Sequence, residues 1–280
     1  MNPDSHSSTV IELTPEEANK FIENRPIESF TLLDVRQPSE YKESHIPGAL
    51  LIPLSELPDR LGELDHQIPV ITYCRSGKRS FAAGVFLKDS GFADVYSVKG
   101  GINSWNGLQA DGEYESGLSL ITSFESLEEI VTFSFAMEDG AFRFYTECAD
   151  IIKDEKTKEV LLQMSRFESK HKEDIISFCK ISDIDYEKIL ESAKTKYGDI
   201  MESGITIKES LRRLKGSPML LINILELSMQ IEINAIDLYM KIHRLTEEEE
   251  AKTLLDRIIM DEKAHLRRIG SLIDTINKKR

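Results

Sequence analysis

The chain has 280 residues, 40 % of them apolar, and a net charge of −14, which suits two domains with ordinary hydrophobic cores. The acidic balance argues against nucleic acids and anionic membranes as partners, because both are bound by clustered lysine and arginine. Three cysteines are too few for a disulfide framework and suit a reducing compartment. We find no secretion signal and no apolar run long enough to cross a membrane, so we expect a cytoplasmic protein.

Residues 1–108 alternate short β-type runs with helix signals. The runs rich in Val, Ile, Phe and Tyr, typical of strands, are 10–13, 30–35, 69–74 and 94–98. One helix signal is the capping box of Thr14 and Glu17, with proline at the first helical position, and the other is the segment 80–90. This alternation predicts an α/β domain with a mostly parallel sheet flanked by helices.

Cys74 stands between a predicted strand and a predicted helix. Backbone N–H groups and the positive end of the helix dipole meet there, and three cations follow within five residues. These influences stabilise a thiolate, so we predict a lowered pKa and a nucleophilic role for Cys74, the alternative being an inert buried cysteine. The loop that would bind an anionic donor such as thiosulfate comprises Cys74, Arg75, Ser76, Gly77, Lys78, Arg79 and Ser80.

Four stretches of this half resemble the rhodanese family: LLDVR at 32–36, HIPGA at 45–49, CRSGKR at 74–79 and GGINSW at 100–105. The resemblance implies that Cys74 accepts sulfane sulfur as a persulfide and passes it to a thiophilic acceptor, with Arg75, Lys78 and Arg79 as catalytic cations. Related phosphatases have a loop one residue longer, which makes phosphatase activity the weaker interpretation. Asp34 and Arg36 are predicted to support the loop, with direct substrate contact as the alternative.

After a predicted linker at 109–123, residues 124–280 change character, because apolar residues recur at spacings of three and four. This pattern predicts an all-α domain. Five residues of it recur 94 positions later. The first copy comprises Glu138, Ala141, Tyr145, Glu168 and His171, and the second comprises Glu232, Ala235, Tyr239, Glu262 and His265.

The repeated glutamates and histidines lie within the apolar stripes of their predicted helices and should therefore point into a bundle. Burying four carboxylates without compensation costs several kcal/mol each, and two divalent metal ions would balance their charge. One Glu from each of two helices, with E-x-x-H from each of the other two, is the di-metal arrangement of ferritin-like four-helix bundles. Structural ion pairs without metal are the alternative. Glu63 and His66 have the same spacing, but Leu33 stands where a further ligand is needed, so we predict surface charge there.

Residues 124–280 resemble the rubrerythrin family of the ferritin-like superfamily. The resemblance implies that Tyr145 and Tyr239 pack beside an iron site with the ligands Glu138, Glu168, His171, Glu232, Glu262 and His265. Two features depart from the family pattern: Met229 and Ala235 stand where a further glutamate is usual, and there is no C-x-x-C pair for a rubredoxin-like tail. The segment 182–217 is predicted to be a long connection with short helices.

These features predict a sulfurtransferase coupled in one chain to a di-iron oxidoreductase acting on peroxide, oxygen or a sulfur species. The predicted cofactor is two iron ions, with manganese or zinc as alternatives and no organic cofactor. Predicted partners are a small anionic sulfur donor, a thiol or electron-transfer protein, and a second copy bound through the bundle. A persulfide carrier or sensor with a metal-storage or structural bundle is the alternative function. Cys148 and Cys179 are predicted packing residues, because about 30 Å separates them on antiparallel helices, too far for a disulfide.

Overall fold

The computed structural model describes residues 9–201, 205–215 and 221–278. The chain divides into two compact units, Met1–Tyr114 and Glu115–Arg280. The predicted domains and connection also include residues 1–8, 202–204, 216–220 and 279–280, which lie outside the described residues. No helix in the described ranges is long and apolar enough to cross a membrane.

The first unit is built on a parallel sheet of five described strands in the order β1-β5-β4-β2-β3. The strands are β1 (Ile11–Leu13), β2 (Thr31–Asp34), β3 (Leu50–Leu51), β4 (Val70–Tyr73) and β5 (Val95–Val98). The helices are α1 (Pro15–Glu23), α2 (Pro38–Glu43) and α3 (Lys78–Asp89). The predicted α/β class is confirmed. Sequence reasoning missed β3, because two residues are too few to show a strand pattern.

The centre of the sheet is covered on both faces, which explains why every residue of β4 is buried. Leu32 and Ile71 belong to the core on one face, and Leu33 and Val70 belong to the core on the other. Successive residues of a strand point to opposite faces, so these neighbours divide between the two cores. The sheet thereby holds the end of β4, where Cys74 follows, in a rigid position.

Both helix signals of the first unit are present in the structure. Thr14 and Glu17 form the predicted capping box of α1, with the Thr14 N–H donating to Glu17 at 2.8 Å. Helix α3 begins at Lys78, two residues before the predicted segment 80–90. Gly77 precedes it with a positive φ of 91°, and a Cβ there would lie 3.0 Å from the Gly100 nitrogen. Glycine therefore suits both the backbone conformation and the close approach.

The second unit contains four long helices, as predicted for a ferritin-like bundle. They are α4 (Leu127–Ile151), α5 (Glu155–Ile181), α8 (Leu221–Leu245) and α9 (Glu249–Asn277). Helices α6 (Tyr186–Lys196) and α7 (Ile207–Lys215) lie in the predicted connection between the two pairs. Side chains of Ser126 and Asp154 cap α4 and α5 by accepting hydrogen bonds from backbone N–H groups.

The remaining cysteines and the surface E-x-x-H pair lie as predicted. Cys148 and Cys179 are buried free thiols. Glu63 is exposed and pairs with Arg60, and the exposed His66 stacks on a neighbouring aromatic ring. These four residues therefore belong to packing and surface charge.

Candidate functional sites

Cys74 directly follows β4, with only 1 % of its surface exposed. Its carbonyl oxygen accepts a 2.8 Å hydrogen bond from the Ile102 N–H, and the carbonyl of Arg75 accepts one from Asn103 at 3.1 Å. A Cβ on Gly101 would lie 2.2 Å from the Cys74 carbonyl oxygen. The GGINSW motif thus packs directly against the start of the cysteine loop.

Hydrogen-bond donors surround the Cys74 sulfur. The Gly77 N–H donates to Sγ at 3.2 Å. Burial by itself raises the pKa of Cys74. Hydrogen bonds together outweigh this effect, so the net pKa lies below its ordinary value; they come from the N–H groups of Ser80, Ser76 and Gly77 and from the Ser80 hydroxyl. The loop is therefore suited to a thiolate or another anionic sulfur.

The three predicted catalytic cations occupy different environments. Arg75 and Lys78 are exposed, while Arg79 is half-buried and donates two 2.7 Å hydrogen bonds to the carboxylate of Glu40. This pairing with Arg79 lowers the pKa of Glu40 to about 2. Sequence reasoning missed Glu40. Its signal is a second capping box with Gln37 at the start of α2.

Asp34 and Arg36 form a buried pair beneath the loop. The Arg36 guanidinium lies 2.6 Å from the Asp34 carboxylate and also donates to the Ser44 carbonyl at 2.7 Å. It lies over the ring of Tyr73, the residue before Cys74, at 5.4 Å from the centroid. These contacts favour structural support over substrate contact.

The bundle brings the six predicted metal ligands together, with one or two on each long helix. They are Glu138 on α4, Glu168 and His171 on α5, Glu232 on α8, and Glu262 and His265 on α9. The four carboxylates are fully buried and both imidazoles are 5 % exposed. One ligand atom from each E-x-x-H residue lies within 4.8 Å of the other three.

The two imidazoles are packed among carboxylates from other helices. His171 Nδ1 lies 2.9 Å from Glu138 Oε2 and 3.1 Å from Glu262 Oε1. His265 Nδ1 lies 3.8 Å from Glu168 Oε1 on α5, and the two imidazole rings stack with centroids 4.6 Å apart. The repeat therefore converges on one cluster rather than on two separate sites.

The two tyrosines of the repeat bind this cluster crosswise. Tyr239 donates to Glu138 at 2.7 Å, and Tyr145 donates to Glu232 at 3.3 Å. Each tyrosine thus contacts the glutamate of the other copy.

Burial and mutual repulsion strongly perturb the cluster. Burial, together with the charge of Glu232, raises the pKa of Glu168 to about 7, and burial raises that of Glu262 to about 7. Burial and the neighbouring Glu262 raise the pKa of Glu232 well above its ordinary range. Burial lowers the pKa of His171, but the carboxylates of Glu262 and Glu138 raise it more. Positive charge is therefore favoured at the centre of the bundle.

The orphaned oxygens show that the donor set fits metal cations. Both carboxylate oxygens of Glu168 and of Glu262, and one of Glu232, accept no hydrogen bond within the described part of the chain. Buried polar atoms are nearly always paired, so these oxygens need a partner. Carboxylate oxygens with imidazole nitrogens suit iron, manganese and zinc.

Comparisons with known proteins identify both halves. A rubrerythrin family model matches residues 129–273, more than half of the chain, and a rhodanese-like domain model matches residues 14–108. The rubrerythrin family implies a di-iron site, in agreement with the buried cluster of glutamates and histidines.

Curated relatives match the first half. YqhL, an uncharacterized protein of Bacillus subtilis (strain 168), is 42 % identical over 76 residues, which are 27 % of this chain and 60 % of YqhL. YrkF of the same organism is 41 % identical over 80 residues, which are 29 % of this chain and 43 % of YrkF. The chain thus spans less than two thirds of either protein. The thiosulfate sulfurtransferase GlpE of Actinobacillus pleuropneumoniae serotype 5b (strain L20) is 36 % identical over 118 residues, which are 42 % of this chain and 99 % of GlpE.

Proposed function

Because this chain belongs to the rubrerythrin family and also carries a rhodanese-like domain, we propose that it combines a sulfurtransferase with a di-iron oxidoreductase. The sulfurtransferase activity is supported by the environment of the Cys74 sulfur. This sulfur accepts a 3.2 Å hydrogen bond from the Gly77 N–H, and the pKa of Cys74 lies below its ordinary value. A low pKa provides the thiolate that sulfur transfer requires.

In the proposed reaction, the Cys74 thiolate attacks the outer sulfur of a sulfane donor such as thiosulfate. The donor's S–S bond breaks, sulfite leaves with the bonding electron pair, and a persulfide remains on Cys74. An acceptor thiolate then takes the outer sulfur as its own persulfide, which restores the Cys74 thiolate. The N–H groups of the loop stabilise the anionic sulfur in both states, and the exposed Arg75 and Lys78 attract the anionic donor.

The test is thiosulfate:cyanide sulfurtransferase activity of Cys74→Ser, with Cys179→Ala as the control for losing a buried thiol. We expect Cys74→Ser to lose the activity and Cys179→Ala to keep it. Mass spectrometry after incubation with thiosulfate should show one added sulfur atom in the control and none in Cys74→Ser. Full activity in Cys74→Ser would remove Cys74 from the reaction.

We propose that the buried cluster holds two iron ions, with the six residues of the repeat as ligands. When bound, such a pair supplies one-electron steps for the reduction of peroxide or oxygen, or for redox chemistry on a sulfur species. Tyr239 and Tyr145 hold two of the carboxylates in place, and the burial of all four glutamates excludes water. Manganese or zinc would suit the same donors.

Metal content and the optical spectrum of anaerobically purified protein test this second activity. Two irons per chain and an iron-dependent optical absorption are expected, together with peroxide consumption that Glu168→Ala and His265→Ala abolish. Peroxide consumption unaffected by both substitutions would exclude this cluster as its site.

We also propose that the two activities are coupled, with the Cys74 persulfide delivered to the metal site of a second copy bound through the bundle. A thiol or a separate electron-transfer protein is the proposed source of electrons. Stopped-flow reoxidation of the reduced iron, with and without a persulfide donor, tests the coupling. Identical rates would end it.

One departure from the family pattern favours a second candidate function. Met229 and Ala235 stand where a further carboxylate is usual in rubrerythrins. A bundle without that ligand suits metal storage beside a persulfide carrier or sensor. Such a protein would bind iron and carry sulfur without turnover of either substrate.

A further inference from the structure

A groove between α5 and α9 reaches the edge of the buried cluster. Its volume is about 560 Å³, and its lining includes the imidazole of His265. His265 is only 5 % exposed, and it is one of the residues that line the groove. The groove is therefore a candidate binding surface beside the cluster, and neither the proposed sulfur transfer nor the proposed iron chemistry uses it.

The volume of the groove is much larger than a peroxide or oxygen molecule. A water molecule takes up about 30 Å³ of liquid, whereas pockets for organic ligands occupy about 300–1,000 Å³. The groove, at about 560 Å³, has the volume of a pocket for an organic ligand. The groove therefore fits an organic molecule better than it fits peroxide or oxygen.

The inner wall of the groove is apolar. Met164 and Ile269 are buried in it, and Val160 and Leu272 flank them. The ring of Phe167 lies beside that of His265, with centroids 4.8 Å apart. Such a wall suits a hydrocarbon chain, because removing apolar surface from water is favourable.

Two adjacent arginines add positive charge to this wall. The Arg268 guanidinium lies 4.6 Å over the Phe167 ring and is held there. Arg267 is exposed, lines the groove, and has no ion-pair partner within the described ranges of the chain. A guanidinium with no ion-pair partner among the described residues is suited to bind an anion.

We propose that the groove binds an amphipathic organic anion, a medium-chain carboxylate, with its carboxylate on Arg267 and its chain along the apolar wall beside Phe167. The proposal goes beyond the proposed function, since binding requires neither metal nor Cys74. It would place an organic molecule next to His265.

The test uses the full chain, in metal-free and metal-loaded forms, and the fluorescent carboxylate 11-(dansylamino)undecanoic acid. We expect saturable fluorescence enhancement that dodecanoate displaces at least tenfold better than dodecanol, about 1.4 kcal/mol of preference for the charged group. Arg267→Glu should weaken binding of the probe at least tenfold. The matched reversal Arg257→Glu on the same helix, whose partner Asp174 lies outside the groove, should change it less than twofold.

A second variant fills the groove without touching its charges. Ser271 is an exposed lining residue whose hydroxyl donates to the Arg267 carbonyl within α9, so Ser271→Trp should block the probe and leave the helix intact. Unchanged binding in both Arg267→Glu and Ser271→Trp overturns the proposed site. Equal displacement of the probe by dodecanol and dodecanoate overturns the proposal that the ligand is an anion. If the probe binds only after dilution has dissociated a dimer, a second copy covers the groove. That result also overturns the proposal.

Discussion

Tyr239 on α8 donates a 2.7 Å hydrogen bond to Oε1 of Glu138 on α4, so that the second copy of the internal repeat holds a carboxylate of the first. Tyr145 makes the reciprocal but longer bond to Glu232 at 3.3 Å. Both acceptors are fully buried, and the two bonds link helices that are distant in sequence. The crossed arrangement fixes the central carboxylates from opposite sides.

Substitution of Tyr239 by Phe should destabilise the metal-free protein by about 1–3 kcal/mol, because it removes a donor from a buried carboxylate. Tyr145→Phe is the matched control and should cost less, since its hydrogen bond is longer. Urea unfolding measures both. Equal losses of unfolding free energy in the two variants would show that the length of the hydrogen bond does not reflect its contribution to stability.

The reactivity of Cys74 should depend on the Ser80 hydroxyl. Because hydrogen bonds from Ser80 lower the pKa of Cys74, Ser80→Ala should raise it, reduce the thiolate fraction at pH 7 and slow alkylation by iodoacetamide. The control Ser90→Ala, at the other end of α3, should leave the rate unchanged. Burial raises the pKa of Cys148 to about 12, so that thiol should stay unreactive at pH 7. An unchanged pH profile in Ser80→Ala contradicts the prediction.

The Glu40–Arg79 pair should make stability depend on pH. Hydrogen bonding to Arg79 lowers the pKa of Glu40 from 4.5 to about 2, so its stabilisation is complete above about pH 4.5 and is lost as the pH falls towards 2. The difference in unfolding free energy between pH 7 and pH 3.5 should therefore shrink in Glu40→Gln by about 0.5–1 kcal/mol. This value allows for solvent screening, because Arg79 is 36 % exposed. The exposed Glu43→Gln is the control, and an equal change in both variants would assign the effect elsewhere.

Metal binding should distinguish the buried E-x-x-H motif from the exposed one. Glu262→Ala removes a ligand oxygen from the cluster and should weaken iron binding by more than about tenfold. Glu63→Ala alters the same motif on the surface and should leave the iron content unchanged. Iron per chain and the melting temperature before and after chelation measure the effect. Equal iron content in the two variants rules out Glu262 as a ligand.

Two helical glycines should respond oppositely to a methyl group. A Cβ on Gly140 in α4 would lie 2.1 Å from the Ile200 carbonyl oxygen, so Gly140→Ala should destabilise the protein by about 1–3 kcal/mol. A Cβ on Gly270 in α9 meets nothing within 4 Å, so Gly270→Ala should stabilise it by about 0.5–1 kcal/mol. Thermal unfolding of both variants gives the signs. A stabilised Gly140→Ala would mean that the 197–201 segment does not pack closely on α4.

The order of elements could be predicted from the sequence, because it depends on local patterns. The capping box of Thr14 and Glu17 and the runs around 30–35 and 69–74 predict the parallel sheet, and the structure places strands and a helix there. The six residues of the cluster could likewise be predicted as a group. A duplicated pattern of polar residues inside apolar helical stripes already requires that they face inward.

The individual side-chain pairs between distant segments, beyond the grouping of the six ligands, could not be predicted. The sequence alone determined that Cys74 follows a strand and precedes a helix, and that the repeated glutamates and histidines share the buried faces of helices. Only the tertiary structure decided that Arg79 pairs with Glu40, and that Tyr239 binds the glutamate of the other copy. The physical reason is that helix and strand periodicity orients a side chain relative to its own element. The partner that this side chain meets depends on how separate elements pack.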